Sequence, residues 1–177
     1  MKDTAELLVL GLLATQSMHG YALNEFLEQR LRFVSDLKKP TAYRMLARLY
    51  EQALVDREPE RVGRRPDRMV YHITPSGKER LDTLLRETMA SGEWVTFPHN
   101  IALLFSHHLA AGEYVDLLSQ RRDQLVEQRA VLADYLAAHT PKTPAWLVLD
   151  HDLTLLDVEL DWLDSTIEHF RASALAE

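Results

Sequence analysis

Pro40-Thr41-Ala42-Tyr43-Arg44-Met45-Leu46-Ala47-Arg48-Leu49-Tyr50-Glu51-Gln52, then Leu54-Val55-Asp56-Arg57, Val62-Gly63-Arg64-Arg65-Pro66-Asp67 and Met69-Val70-Tyr71-His72-Ile73, is the stretch on which the fold turns. Pro40 suits the first turn of a helix, where its missing N–H costs nothing. The spacing of Ala42, Met45, Leu46 and Leu49 makes one apolar helical face, with Tyr43, Arg44 and Arg48 on or beside the other. Leu54–Arg57 and Met69–Ile73 read as two strands, and the Gly, Pro and Asp between them as a tight basic loop. Thr74-Pro75 caps a further helix that continues through Leu81, Leu84 and Leu85.

Upstream, Asp3-Thr4 is suited to cap a first helix, whose Leu7, Leu8, Leu10, Leu12 and Leu13 wrap it nearly all round. Gln16-Ser17-Met18-His19-Gly20 reads as a turn. A second helix is expected from Tyr21 to Arg32, with Leu23, Phe26, Leu27 and Leu31 on one face. The order helix, helix, helix, strand, wing, strand, helix defines a winged helix-turn-helix. The expected fold is therefore mainly α with a small two-stranded β-wing, the winged helix filling residues 1–91.

The composition changes after Ser91-Gly92, and residues 92–177 are expected to be helical. Helices are predicted over Pro98–Ala110, Gly112–His139 and Pro144–Ala172, with a break at Thr140-Pro141-Lys142-Thr143-Pro144. In the last, Trp146, Leu149, Leu153, Leu156, Leu160, Leu163, Ile167 and Phe170 alternate steps of three and four, a strict heptad seam. Leu118, Leu125 and Leu132 repeat the spacing in part in the helix before. A seam this long exceeds what a small winged helix covers, so the expectation is a homodimer interface shared between two subunits, the other reading being packing within one subunit. Asp157, Glu159, Asp161 and Asp164 lie off the seam.

The net charge of −7 is unevenly spread. Lys38 to Arg80 holds eleven Lys/Arg against six Asp/Glu, a net of +5, leaving nine against 21 elsewhere, a net of −12. Local field, not the total, governs attraction to phosphate. A helix fits the major groove of double-stranded DNA and brings its N-terminal side chains to base edges and phosphates. Thr41, Tyr43, Arg44 and Arg48 are the groups suited to this on the third helix. Arg64, Arg65 and Arg68 are their counterparts in the wing, aimed at the backbone or minor groove. The competing class is a winged-helix protein-interaction module that leaves DNA alone, against which the basic wing argues.

Other constellations point elsewhere or nowhere. With no cysteine, disulfides and thiolate metal sites are excluded. His99, His107, His108 and His151 lack the spacing of a ligand motif, so no metal and no cofactor is expected. No nucleophile elbow, P-loop or dinucleotide fingerprint appears, and no enzyme activity is expected. No apolar run approaches the roughly 18 residues that span a bilayer. The start, Met1-Lys2-Asp3-Thr4-Ala5-Glu6, has no signal-type pattern, so a cytoplasmic protein without membrane partners is expected. Trp94, Phe97 and Asn100, near the junction of the halves, are candidates for a small-molecule effector pocket, since ligand sites favour such junctions.

The sequence resembles the PadR family of bacterial transcriptional regulators. The resemblance is carried by Leu8-Val9-Leu10-Gly11-Leu12-Leu13, Met18-His19-Gly20-Tyr21-Ala22-Leu23, Thr41–Leu49 and Gly63–Thr74 closed by Pro75-Ser76-Gly77. It implies a dimeric repressor, usually autoregulatory, that binds an inverted repeat and lets go when an aromatic or otherwise apolar small molecule binds. Three positions depart from the family pattern. Ala42 stands where Leu is frequent and Arg44 where Pro or a small residue is frequent. Ala53 stands where Gly usually closes the recognition helix. A left-handed Ala53 would cost on the order of 1 kcal/mol, unless the helix ends differently.

Overall fold

The structure, a computed structural model, describes residues 2–30, 37–60, 68–93 and 96–174. They divide into two compact units, Met1–Glu93 and Trp94–Glu177.

The first unit runs α1 (Lys2–Thr15), β1 (Met18–His19), α2 (Gly20–Arg30), α3 (Lys39–Glu51), β2 (Val55–Glu60), β3 (Arg68–Ile73) and α4 (Pro75–Ala90). Helix α1 starts at Lys2, ahead of the expected cap, so Asp3 and Thr4 fall in its first turn. Val9, Leu10 and Leu13 of α1 join Leu23 and Leu27 of α2, Ala42, Met45, Leu46 and Leu49 of α3, Val55 and Leu84 in one buried core. The inward face expected of α3 is the observed one. Leu81 is only half-buried and Leu85 is exposed. Leu31, expected on the α2 face, lies outside the described residues.

The sheet has three strands where two were expected, in the order β1-β3-β2, all antiparallel. Met18 and His19, expected in a turn, pair with Tyr71 and Val70. The reason is cross-strand chemistry: β3 has a free edge, and Ser17 Oγ meets His72 Nδ1 at 2.7 Å on the neighbouring pair. A two-residue strand is too short to leave an alternating pattern in sequence.

The junction of α3 with β2 is the tightest part of the unit. Leu54 N–H donates to the Leu49 carbonyl at 2.9 Å and Ala53 N–H to the Tyr50 carbonyl at 3.0 Å, a Schellman ending. It requires a left-handed residue, and Ala53 takes that role with φ 55°. Thr74 fixes the turn from the other side. Its hydroxyl donates to the Ala53 carbonyl at 2.8 Å, and its N–H donates to the Leu54 carbonyl at 3.1 Å. The same hydroxyl accepts from Gly77 N–H at 3.0 Å, capping α4 as the sequence predicts. A Cβ on Gly77 would stand 2.0 Å from the Leu54 carbonyl oxygen, so only glycine fits there.

The second unit comprises α5 (His99–Leu104), a short 3-10 turn (Ser106–His108), α6 (Ala111–Ala137) and α7 (Pro144–Ala174). The single helix expected over Pro98–Ala110 is broken: at Phe105 the backbone leaves the helical region (φ −106°, ψ 12°). Leu103 packs on the core of the unit, but Ile101, Leu104 and Phe105 are all exposed, and a short helix with so narrow a buried face gains little. Helices α6 and α7 pack against each other as an antiparallel hairpin. Charged pairs fix its register. Arg122 Nε meets Asp164 at 2.6 Å, Arg121 meets Glu159 at 3.0 Å, and Arg129 pairs with Asp157. The hydrogen bond and charge of each Asp push the Arg122 and Arg129 guanidiniums above their ordinary range.

That hairpin occupies much of the heptad seam, expected either at a subunit interface or packed within one subunit. Leu163 is fully buried within one chain, and with Ile167, Val115 and Leu118 it forms the core of the unit. Leu149 and Leu160 are buried as well, Trp146, Leu153 and Leu156 are half-buried, and Phe170 sets its ring edge-on to Tyr114 at 5.1 Å. Leu118 and Leu132 of α6 are buried and Leu125 half-buried. The heptad seam is thus largely the stripe on which α7 meets α6 within one subunit.

Candidate nucleic-acid interface

Helix α3 begins after Lys38, which is extended (φ −78°, ψ 146°), with Pro40 in the first turn. Ala42 sits with no exposure at the close approach of the core, which leaves Tyr43 and Arg44 turned to solvent. Arg44 donates to Thr41 Oγ1 at 3.2 Å, drawing its guanidinium toward the helix N-terminus. Tyr43 rests on Gly20: a Cβ there would come within 2.8 Å of Tyr43 Cε1. Glycine at the start of α2 therefore makes room for an aromatic ring on α3. Asn24, buried one turn further, donates to the Gly20 carbonyl at 2.7 Å and steadies that position.

A second group stands at the base of the wing. Arg68, on β3, donates to the Tyr21 hydroxyl at 3.1 Å and lies 5.0 Å from the centre of its ring. Tyr21 stacks on His19 with ring centres 5.4 Å apart and 16° between planes. His19 in turn meets the Glu60 carboxylate at 2.8 Å. The Tyr21 hydroxyl, accepting from Arg68, keeps its own proton to donate. An arginine already stacked and hydrogen-bonded loses less freedom on meeting a phosphate.

Of the sequence-predicted contacts, Thr41, Tyr43 and Arg44 come together on the first half of α3, and Arg68 joins Tyr21. Arg48 does not join them: its guanidinium turns to the buried Glu6, 3.2 Å away. Arg64 and Arg65 lie outside the described residues. Tyr21 and His19 were missed. His19 ends the two-residue β1 and Tyr21 lies in the first turn of α2, and only the pairing of β1 with β3 brings them beside Arg68, which local sequence does not signal.

In the second unit, Phe97 and Asn100 are exposed, with Phe97 tilted against His99 at 5.6 Å, and Trp94 lies outside the described residues. His99 approaches Glu159 at 3.6 Å beside Arg121, a paired surface histidine. Among the described residues no group of three His, Cys, Asp or Glu is placed to hold a metal ion. No helix among them is long and apolar enough to cross a membrane.

A helix presenting polar residues over an apolar face, packed beside a β-hairpin with an arginine at its base, is the arrangement of a winged helix. Residues 9–83, within the winged helix, match the Transcriptional regulator PadR-like family. Proteins of this family are DNA-binding regulators of transcription rather than enzymes. No curated protein matches the sequence. The Bacillus subtilis PadR structure in complex with operator DNA superposes with a TM-score of 0.81 at 20% identity, covering 93% of this chain and 98% of that one. The same protein in complex with p-coumaric acid gives 0.75 at 20%, over 96% and 97% of the two chains. The Vibrio cholerae virulence activator AphA gives 0.73 at 18%, over 96% and 99%. At these identities the likeness is one of fold.

Proposed function

We propose that the protein is a dimeric transcriptional repressor that binds an inverted-repeat operator and releases it when an aromatic or largely apolar small molecule binds. The observation that carries the reading is the first half of α3, where Thr41, Tyr43 and Arg44 are displayed over a fully buried apolar face. In this reading Arg44 reads a base edge or grips a phosphate, while Thr41 and the Tyr43 hydroxyl take phosphates. Arg68 with Tyr21, and the wing arginines Arg64 and Arg65, hold the flanking backbone.

The second unit supplies pairing and response. With the heptad seam occupied by α6, the subunit contact falls to the other side of α7, where Val148, Leu155, Val158 and Trp162 remain exposed. Pairing two subunits sets half-sites about one helical turn, roughly 10 bp, apart. The effector acts near Trp94, Phe97 and Asn100. It shifts the equilibrium only if it prefers the state that does not bind DNA. Bacillus subtilis PadR, solved with operator DNA and with p-coumaric acid, is a precedent for both ligands. The cytoplasm, where DNA is met, is the place of action.

The test is a mobility shift across the chain's own promoter, repeated with a panel of phenolic and other aromatic compounds. Retardation that survives excess random duplex, and is relieved by one of the compounds, is the expected result. Absence of any shift at low salt would return the winged helix to protein docking.

A further inference from the structure

Glu6 lies in the apolar run Ala5-Glu6-Leu7-Leu8-Val9-Leu10 and is 1% exposed, yet both its oxygens are taken. Oε1 accepts from Arg80 Nε of α4 at 2.8 Å and Oε2 from Arg48 of α3 at 3.2 Å. One buried carboxylate thus joins three helices. The buried side chains of α3, Ala42, Met45, Leu46 and Leu49, make apolar contacts without direction. Charge-assisted hydrogen bonds are directional, so this pair resists rotation and sliding of α3 along its own apolar face. Arg48 follows Arg44 by four residues and so shares its side of the helix, but its guanidinium is spent on Glu6.

We infer that Glu6 is a positioning residue for the recognition helix, and that Arg48 is its strut rather than a contact to DNA. The inference rests on the DNA-binding reading above. A carboxylate left in the core without its cations would be strongly unfavourable, so the three groups act as a unit.

Full-length wild type, Glu6→Gln, Arg48→Ala, Arg48→Lys and Arg44→Ala would be compared by thermal unfolding and by binding to a short random duplex and a promoter fragment across salt, well below each melting midpoint. Glu6→Gln and Arg48→Ala should lower the midpoint of the first unit by on the order of 10 °C, with Arg48→Lys recovering part of the loss. Arg44→Ala should flatten the salt slope by about one per subunit, whereas Arg48→Ala should leave it as in wild type. Glu6→Gln should lower the ratio of promoter to random-duplex affinity several-fold. If Arg48→Ala flattens the slope as Arg44→Ala does, Arg48 is a phosphate contact and the inference fails. A promoter ratio equal to wild type in Glu6→Gln would reduce Glu6 to a stability element and overturn its positioning role. Should wild type bind no DNA, the proposed function fails by itself, and an unmoved midpoint in the Glu6 and Arg48 variants would separately refute the strut. Where Arg48→Ala does not fold, Arg48→Gln, which keeps most of the side-chain length without the charge, carries the salt comparison.

Discussion

Replacing Ala53 by glycine should stabilise the protein, against the usual direction of an alanine-to-glycine change. At φ 55° the Ala53 Cβ crowds its own following carbonyl, at roughly 1–2 kcal/mol. Glycine removes that strain but adds backbone freedom to the unfolded chain, worth about 0.4–1 kcal/mol in the other direction. The balance is a gain of about 0.5–1 kcal/mol. Ala53 has no means of relaxing instead, because Thr74 holds its carbonyl and that of Leu54, and Gly77 presses on the latter. In a unit of this size the gain corresponds to a rise of roughly 3–6 °C in melting midpoint, readable by circular dichroism on heating and by urea titration. Gln52→Gly, one residue earlier, where φ is −86°, should instead lower the midpoint, since no strain is there to remove. A midpoint unchanged or lowered in Ala53→Gly would mean that residue 53 is not held left-handed and that the helix ends in some other way.

Gly77→Ala should cost on the order of 3 kcal/mol, because its Cβ would meet backbone that cannot move aside; a midpoint within a degree or so of wild type would refute the close approach. Arg44→Ala should weaken operator binding and relax sequence preference, and selection from random duplexes that returns the wild-type consensus would exclude a base contact. The double change Arg64→Ala with Arg65→Ala should weaken binding to all sequences and flatten the salt slope; wild-type affinity at moderate salt would remove the wing from the interface. Leu163→Ala should destabilise the second unit by about 2–5 kcal/mol without changing association state, whereas Val158→Lys should dissociate the dimer in sedimentation at little cost to folding. The reverse pattern would restore the seam as the subunit contact.

The winged helix was legible because each of its signals is local. Four apolar positions at helical spacing fix the face of α3, Pro40 marks its start, and Thr74-Pro75 marks the start of α4. What escaped was set by partners distant in sequence. The strand at Met18–His19 exists because β3 offers an edge some fifty residues later. Arg48 shares a side with Arg44 by spacing, and only the fold reveals a buried carboxylate 42 residues upstream that claims it. Ala53 was a fork that sequence left open, since the Schellman bonds and the Thr74 clasp that force φ positive join segments about twenty residues apart.

The seam of α7 shows most clearly where periodicity stops being informative. A heptad repeat states that a helix buries one stripe against another helix; it does not state whose helix. Length suggested a second subunit, because a small winged helix has no partner long enough. The partner was already in the chain: α6, Ala111–Ala137, nearly matches α7 in length, and the Thr140–Pro144 break folds one back on the other. Charge was the signal available for the distinction. Arg122 and Arg129 on α6 meet Asp164 and Asp157 on α7 in antiparallel order, with Arg121 on Glu159 beside them, a complementarity readable from sequence once a hairpin is supposed. Three of the four acidic residues that lie off the seam, Asp157, Glu159 and Asp164, therefore help set its register within the subunit. Once the stripe is internal, the large residues on the rest of α7 need a different explanation. Val158 at 62% and Leu155 at 51% exposure are costly to leave in water, and a symmetric copy of the same helix would cover both at once.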